Sequence, residues 1–329
     1  MTPSSKLQWG AEGLWERLVP LLPGISVEVL ARVESTNTRL LERARAYSGD
    51  RDGPVTRPSD LDGQQAAPQR TPHGRRQGDI QPCLLVAEDQ TRGRGRLGRD
   101  WVSQAGHSLT FSLSLPLAPA QWGGLSLAVG LALAEALDPR PVGEGLSEPG
   151  PWQPGTVQPR LGLKWPNDLW LLDPPDAAPG SELRLGRKLG GILIETVSVG
   201  QQRMCVVGVG LNIGNPGPAV QQGLAHGYAS LQELDPSMTA PLALARVAVP
   251  LVQALLRFER QGFEPLVAAF LRRDLLRGHA VSTSAPEPLQ GVAEGVDEQG
   301  ALLVRVGQGE QQTVRRVLSG EASVRLTEA

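Results

Sequence analysis

Nine consecutive residues, Gly93-Arg94-Gly95-Arg96-Leu97-Gly98-Arg99-Asp100-Trp101, put three glycines, three arginines and an indole into one stretch. Glycine lets a backbone approach a ligand closely, and arginine offers a forked set of donors to phosphate or carboxylate. Such a run is suited to wrap an anion. Its glycines also fit G-x-G-x-x-G, and the apolar Cys83-Leu84-Leu85-Val86-Ala87 before them reads as a strand. A dinucleotide site further needs a helix opening at the last glycine and an acidic residue roughly 20 positions on. Here Ser108 to Leu115 alternates polar and apolar residues with period two, which is a strand, and the region from Pro116 to Ala120 has no carboxylate. An arginine-rich phosphate loop between two strands is the better reading.

Four further clusters have residue types suited to a polar or charged ligand. Ser35-Thr36-Asn37 stands between a strand and a helix, where all three types cap free amides and also present small hydrogen-bonding groups. Gln90, a two-sided neutral hydrogen-bonder, ends the strand that enters the glycine-arginine run. Lys164-Trp165-Pro166-Asn167-Asp168 joins two strands by a proline-pinned turn; Asp168 is either an Asx-turn residue or a carboxylate for Mg²⁺ or ligand. Lys188-Leu189-Gly190-Gly191-Ile192 begins another strand, with Lys188 a solvated edge charge or a neutraliser of anions. Gly208-Val209-Gly210-Leu211-Asn212-Ile213 ends the next one. There the glycines allow either tight packing on a helix or a pocket wall, with Asn212 reaching a ring or ribose.

The elements that must position these groups are readable between three stretches dense in proline, glycine and polar residues, at about 48–80, 139–160 and 173–186, which read as surface loops. Helices are expected at Leu14–Leu22, Thr38–Tyr47, Leu125–Leu137, Leu242–Arg260 and Pro265–Leu276. Strands are expected at Val27–Leu30, Leu161–Trp165, Trp170–Leu172, Leu189–Val197 and Met204–Ile213, besides the two around the glycine-arginine run. After Gly278 short strands and turn signals suggest a small all-β domain. At 329 residues the chain can bury a large core, and a formal charge of -2 gives no overall case for nucleic acid or an anionic membrane. Cys83 and Cys205 have no metal spacing and the four histidines form no ligand pattern, so no zinc is expected. No basic leader or long uninterrupted apolar run is present, which leads to the expectation of a cytoplasmic protein without a membrane partner.

Taken in order, Ser35-Thr36-Asn37, Gln90, the glycine-arginine run with Trp101, Lys164-Trp165-Pro166-Asn167-Asp168, Lys188-Leu189-Gly190-Gly191-Ile192 and Gly210-Leu211-Asn212-Ile213 strongly resemble the biotin–protein ligases. These are also called biotin–[acetyl-CoA-carboxylase] ligases or holocarboxylase synthetases. The resemblance runs from about Val27 to the C-terminus. It implies an α+β fold of the class II synthetase-like, biotin/lipoate ligase type: a mixed or antiparallel central sheet packed with helices over residues 1–277, then a small SH3-like β-barrel over 278–329. It implies an enzyme that activates biotin with ATP as biotinyl-5'-AMP and transfers it to a lysine of the biotin carboxyl carrier protein of acetyl-CoA carboxylase.

By the same resemblance Ser35, Thr36, Asn37, Gln90, Arg94, Gly95, Arg96, Lys188 and Gly191 would bind biotin. Arg94, Arg96, Arg99, Trp101, Asn167 and Asn212 would bind ATP or the adenylate, with Trp101 stacking on or covering the adenine. Lys188, Arg94, Arg96 and Asp168 would serve the reaction, and Asp168 would hold Mg²⁺. Lipoate ligation and a non-enzymatic, biotin-responsive regulator are the alternatives. Only about 25 residues precede Val27, too few for a helix-turn-helix unit, so no DNA partner is expected. The strand Ile192–Val199 can pair edge to edge in a homodimer or be covered by loops.

Overall fold

The computed structural model describes residues 7–49, 80–139, 160–172, 186–217, 227–284, 288–307, 309–319 and 324–326. Nearly all of the three expected surface loops therefore lies outside the described residues. A seven-stranded sheet forms the body of the protein. In chain order its strands are β1 (Ser26–Val33), β2 (Cys83–Gln90), β5 (Ser108–Pro116), β6 (Leu161–Lys164), β7 (Asp168–Leu171), β8 (Arg187–Val199) and β9 (Gln202–Asn212). Their spatial order is β1-β2-β5-β9-β8-β7-β6. Only β1 and β2 run parallel, from Ser26 opposite Cys83 to Val33 opposite Gln90; the other pairs are antiparallel. Two residue pairs, β3 (Gly93–Arg94) and β4 (Asp100–Trp101), form a separate small hairpin. No helix opens at Gly98, which removes the dinucleotide reading.

Helices cover both faces, and the strands alternate between two apolar environments as a sheet buried on both sides requires. Along β2, Leu84 and Val86 join the main core, whereas Cys83 and Leu85 pack with Leu40 and Leu41 of α2 (Thr36–Gly49). The opposite face carries α1 (Ala11–Leu18), α3 (Leu125–Leu137) and α4 (Ala240–Gln261). α3 is apolar nearly all round and is buried accordingly, with the boundaries that its sequence pattern predicts. α4 starts at Thr239, whose hydroxyl accepts from Leu242 N–H at 3.3 Å, and stops at Gly262, whose φ is +68°. It is the one described helix long and apolar enough to cross a membrane, yet Leu244, Val247, Leu251, Val252, Leu255 and Phe258 on it are all core residues. Both cysteines are buried and free; burial pushes Cys83 up to about 11 and Cys205 to about 12, leaving inert thiols.

One expectation needs correction. The helix expected over Pro265–Leu276 is only a short turn followed by α5 (Val267–Leu271). Arg273 is drawn inward, where it donates to the carbonyls of Leu161 and Asp138 at 2.9 Å each, and the backbone of 273–275 runs beside Leu163 instead of continuing the helix. The C-terminal part is a five-stranded antiparallel sheet, β10 (Ala280–Thr283), β11 (Gln290–Val296), β12 (Leu302–Val306), β13 (Thr313–Val317) and β14 (Val324–Leu326), in the order β13-β12-β11-β10-β14. Its edge strands, β13 and β14, do not pair with each other among the described residues, and the sheet agrees with the small β domain expected after Gly278.

The two parts are joined tightly. Gly123 and Gly124, ahead of α3, lie against the turn between β11 and β12: a Cβ on Gly300 would come within 2.4 Å of Gly124 Cα. Trp165, buried in the turn between β6 and β7, donates its indole N–H to the Gly300 carbonyl at 3.0 Å. The Trp165–Pro166 peptide is cis.

Candidate active site

Side chains on one face of a strand recur every second residue. On the α2 side of the sheet that face presents Gly191, Leu193 and Glu195 from β8 and Gly208 and Gly210 from β9, with Gly191 opposite Gly210 and Leu193 opposite Gly208. Three glycines on adjoining strands leave a trough where side chains would otherwise stand. Its depth is set by what lies in it. A Cβ on Gly208 would fall 2.2 Å from Asn37 Oδ1, and one on Gly210 would fall 2.4 Å from the Trp101 ring. Asn37 comes from the first turn of α2 and Trp101 from β4, so the helix start and the small hairpin converge over the same depression.

One pocket results. It is lined by Ser35, Thr36, Asn37 and Gln90 at one end and by Arg94, Gly95, Arg96, Arg99 and Trp101 from the glycine-arginine run. Asn167, Asp168, Lys188 and Gly191 line the remainder. The segments that sequence alone separates by over 150 positions are thereby brought together. Asn212 is the exception. Its buried amide donates to the carbonyls of Ala229 at 2.9 Å and Lys188 at 3.3 Å, and it does not line the pocket. Both amide donors of Asn212 are thereby engaged with backbone, one of them beneath Lys188.

The inner end is neutral and buried. Gln90 Oε1 accepts from the Thr36 N–H at 2.7 Å and from its hydroxyl at 3.1 Å, and Ser35 Oγ accepts from Thr38 N–H at 3.4 Å as a cap. Capping and pocket lining thus coexist at this corner. Trp101 packs on Gly210, and its buried indole N–H has no hydrogen-bond partner among the described residues.

The outer end is cationic, with Lys188, Arg94, Arg96 and Arg99 among its lining residues. Lys188 Nζ lies 2.8 Å from Asp168 Oδ1. Arg94 Nη2 lies 2.6 Å from Glu195 Oε1. Arg96 donates to Asn167 Oδ1 at 3.3 Å and to the Ser319 carbonyl of the C-terminal sheet. Burial pulls the Arg96 guanidinium below its ordinary pKa, Asp168 resists this and Arg99 adds to it; the group stays a cation at neutral pH. Asn167 donates to the Ile192 carbonyl at 2.8 Å and accepts Ile192 N–H through its own carbonyl at 3.0 Å, which fixes the turn carrying Asp168 against β8. The hairpin itself needs Gly93, where a Cβ would meet the Trp101 carbonyl at 2.2 Å. A site with neutral hydrogen-bonders inside and four cations at the rim can hold the polar ring of a small acid and bring its carboxylate up to a polyphosphate.

Two polar residues that complete the site have no signal in the sequence motifs. Ser112 is wholly buried on β5 and Glu195 stands midway along β8. The only hint of Ser112 is the run of small hydroxyls, Ser108, Thr110, Ser112 and Ser114, on one face of an otherwise apolar strand.

Residues 76–212 match the Biotin/lipoate A/B protein ligase family, and residues 284–325 match the Biotin protein ligase C terminal domain. The biotin–[acetyl-CoA-carboxylase] ligase of Mycobacterium tuberculosis is 32% identical over 297 residues, spanning 85% of this chain and 84% of that protein. The enzyme of the same name from Paracoccus denitrificans is 31% identical over 292 residues, spanning 86% and 95%. Among solved structures, a biotin protein ligase from Aquifex aeolicus in complex with biotin and ATP superposes with a TM-score of 0.60 at 23% identity, covering 92% of this chain and 99% of that one. That last likeness speaks to the fold.

Proposed function

The chain belongs to the biotin/lipoate A/B protein ligase family and carries the C-terminal domain of its biotin protein ligases, and from this premise we propose how its pocket performs biotin activation and transfer. The enzyme consumes ATP to convert biotin to biotinyl-AMP and passes the biotinyl group to an acceptor of acetyl-CoA carboxylase. The observation that carries the site assignment is the convergence of Lys188, Arg94 and Arg96 at the rim of a pocket whose inner end, at Ser35, Thr36, Asn37 and Gln90, is neutral.

A carboxylate is a poor acyl donor because its oxygen would have to leave as oxide. Attack of that oxygen on the α-phosphorus of ATP forms an O–P bond, breaks the bond to the pyrophosphate oxygen, and turns the oxygen into part of AMP, a good leaving group. The barrier is largely repulsion between anions. At about 4 Å and an effective dielectric near 20, one pair of unit charges costs about 4 kcal/mol. Lys188, Arg94 and Arg96 offset this where charge builds up, and they do so as preset charges within a partly closed site. In the second step an acceptor lysine amine attacks the acyl carbon, AMP departs and the amine loses its proton. Holding the mixed anhydride still supplies most of what that step needs.

Magnesium would enter with ATP. Such an ion needs only one or two protein carboxylates when phosphates and water complete its shell, and Asp168, which faces the pocket beside Lys188, fits that requirement. When bound it would neutralise phosphate charge. Among the described residues no group of three or more His, Cys, Asp or Glu side chains is placed to hold a metal ion.

The test is direct. The protein is incubated with ATP, Mg²⁺, a carboxylase carrier domain and, in separate reactions, biotin or lipoate, and the carrier is weighed by mass spectrometry. A gain of one biotinyl group is expected. Labelling with lipoate instead, or with neither acid, would refute the reading.

A further inference from the structure

A file of hydrogen bonds follows the inner end of the pocket and terminates on a carboxylate outside every motif. From Thr36, already bound to Gln90, it passes to Ser112, whose Oγ is 2.6 Å from both Thr36 Oγ1 and Asn37 Oδ1. Asn37 Nδ2 then donates to the Leu193 carbonyl at 3.1 Å and to Glu195 Oε2 at 3.0 Å. The other carboxylate oxygen of Glu195 takes Arg94 Nη2, while Arg94 Nη1 donates to the Thr38 hydroxyl at 3.0 Å. Glu195 is itself absent from the pocket lining and stands beyond Leu193.

The polarity of this file is forced. A backbone carbonyl and an ionised carboxylate only accept, so together they claim the Asn37 amide nitrogen. The Asn37 carbonyl oxygen must therefore turn the other way, over Gly208 and toward Ser112. This is how the two ends of the amide are told apart, since its partners define them. Had Asn37 turned over, its NH₂ group would face inward as a donor.

We propose that Glu195 is a positioning residue for biotin recognition. It fixes Asn37 as an acceptor at the inner end of the pocket and at the same time tethers Arg94, so that the glycine-arginine hairpin is held over that end. The inference rests on the assignment of this pocket to biotin. The ring of biotin is a cyclic urea with two N–H donors, and a donor set needs oxygen, not a second NH₂ group, opposite it. Two donors left facing each other in a buried site are both unpaired, and that penalty falls on ring binding alone.

Three full-length variants test this: Glu195→Gln, Glu195→Asp and Asn37→Ala. Glu195→Gln keeps the length but replaces one acceptor with a donor, aimed either at the Asn37 amide or at Arg94. The initial rate of pyrophosphate release is measured against biotin and, separately, against ATP. For Glu195→Gln the expected result is a KM for biotin raised about tenfold or more, with a smaller fall in kcat as Arg94 loses its tether and a smaller change in the KM for ATP. Tryptic cleavage after Arg94 should be faster, and the melting temperature should hold. Glu195→Asp keeps the charge but is too short to reach both partners, and should fall between the two. A Glu195→Gln enzyme with unchanged KM for biotin, while Asn37→Ala raises it, would overturn the role of Glu195 and leave the pocket assignment standing. Unchanged KM for biotin in Asn37→Ala would instead overturn the assignment itself. An equal loss in every kinetic constant together with a lowered melting temperature would reduce Glu195 to a structural part.

Discussion

Replacing Lys188 with alanine removes the cation nearest the line between Asp168 and the pocket, and the structure allows the loss to be sized. Lys188 Nζ sits 2.8 Å from Asp168 Oδ1, and its side chain is 27% exposed. A unit charge about 4 Å from the reacting phosphate is worth about 4 kcal/mol at an effective dielectric near 20; partial exposure to water reduces that to about 3 kcal/mol. Each 1.4 kcal/mol is about a factor of ten in rate, so the loss is roughly two orders of magnitude. Asp168, stripped of its partner, then adds its own repulsion and brings the expected fall to about a thousandfold.

The assay is single-turnover formation of biotinyl-AMP, without carrier, with ATP and biotin both saturating. Lys188→Ala retaining more than about a third of the normal rate would refute the electrostatic argument. The double variant with Asp168→Asn separates the roles of the pair. If Asp168 holds magnesium, the double variant is no better than Lys188→Ala, and Asp168→Asn alone needs more Mg²⁺ for half-maximal rate. A double variant clearly faster than Lys188→Ala would make Asp168 a mere counter-ion.

Two further changes probe the trough and the fold. Gly208→Ala puts a methyl 2.2 Å from Asn37 Oδ1 and 2.8 Å from its Cγ, so the buried amide must leave its partners. The KM for biotin should rise about a hundredfold, as two or so buried hydrogen bonds are lost, while equilibrium dialysis with ATP alone should show unchanged affinity. Asp274 is held up to about 6 by burial, against the backbone N–H groups of Leu276 and Arg277 and the Arg277 charge. Because its folded pKa lies above its unfolded one, the folded state binds the extra proton between about pH 4 and 6, and stability falls as pH rises through that window. Asp274→Asn should thus melt higher than the parent protein at pH 7.5, by an amount equivalent to about 3 kcal/mol, and the gap should close below pH 4; scanning calorimetry across that range measures it.

Much of this site could be read from the chain because its parts lie in contiguous loops at strand ends. Runs such as Lys164 to Asp168 have compositions that neither a core strand nor a helix would choose. The boundaries of α3 follow from an unbroken apolar sequence, and the hairpin at Gly93 from glycines that no side chain could replace. What escaped was decided by register. Glu195 looks like a routine polar position on a strand until the pairing of Leu193 with Gly208 sets it beside Asn37. Asn212 carries the same residue type as Asn37 and Asn167 at an equally suggestive strand end, yet it turns toward backbone carbonyls because β8 and residue 229 close over it. Pro265 to Leu276 has helical periodicity, and only the tertiary bonds of Arg273 end the helix early.

The bond from Trp165 to Gly300 bears on how such a protein can be divided. Cutting the chain before β10 would strand a buried indole N–H and strip Arg96 of the Ser319 carbonyl in the same stroke. Anyone trimming this ligase into a minimal labelling tool should expect the loss to be felt at the phosphate-handling turn, which is far from Ser319 in sequence but bonded to it in space. The terminal sheet behaves less like an appendage than like a keystone, and grafting it from a relative would need the Gly300 turn to come along intact.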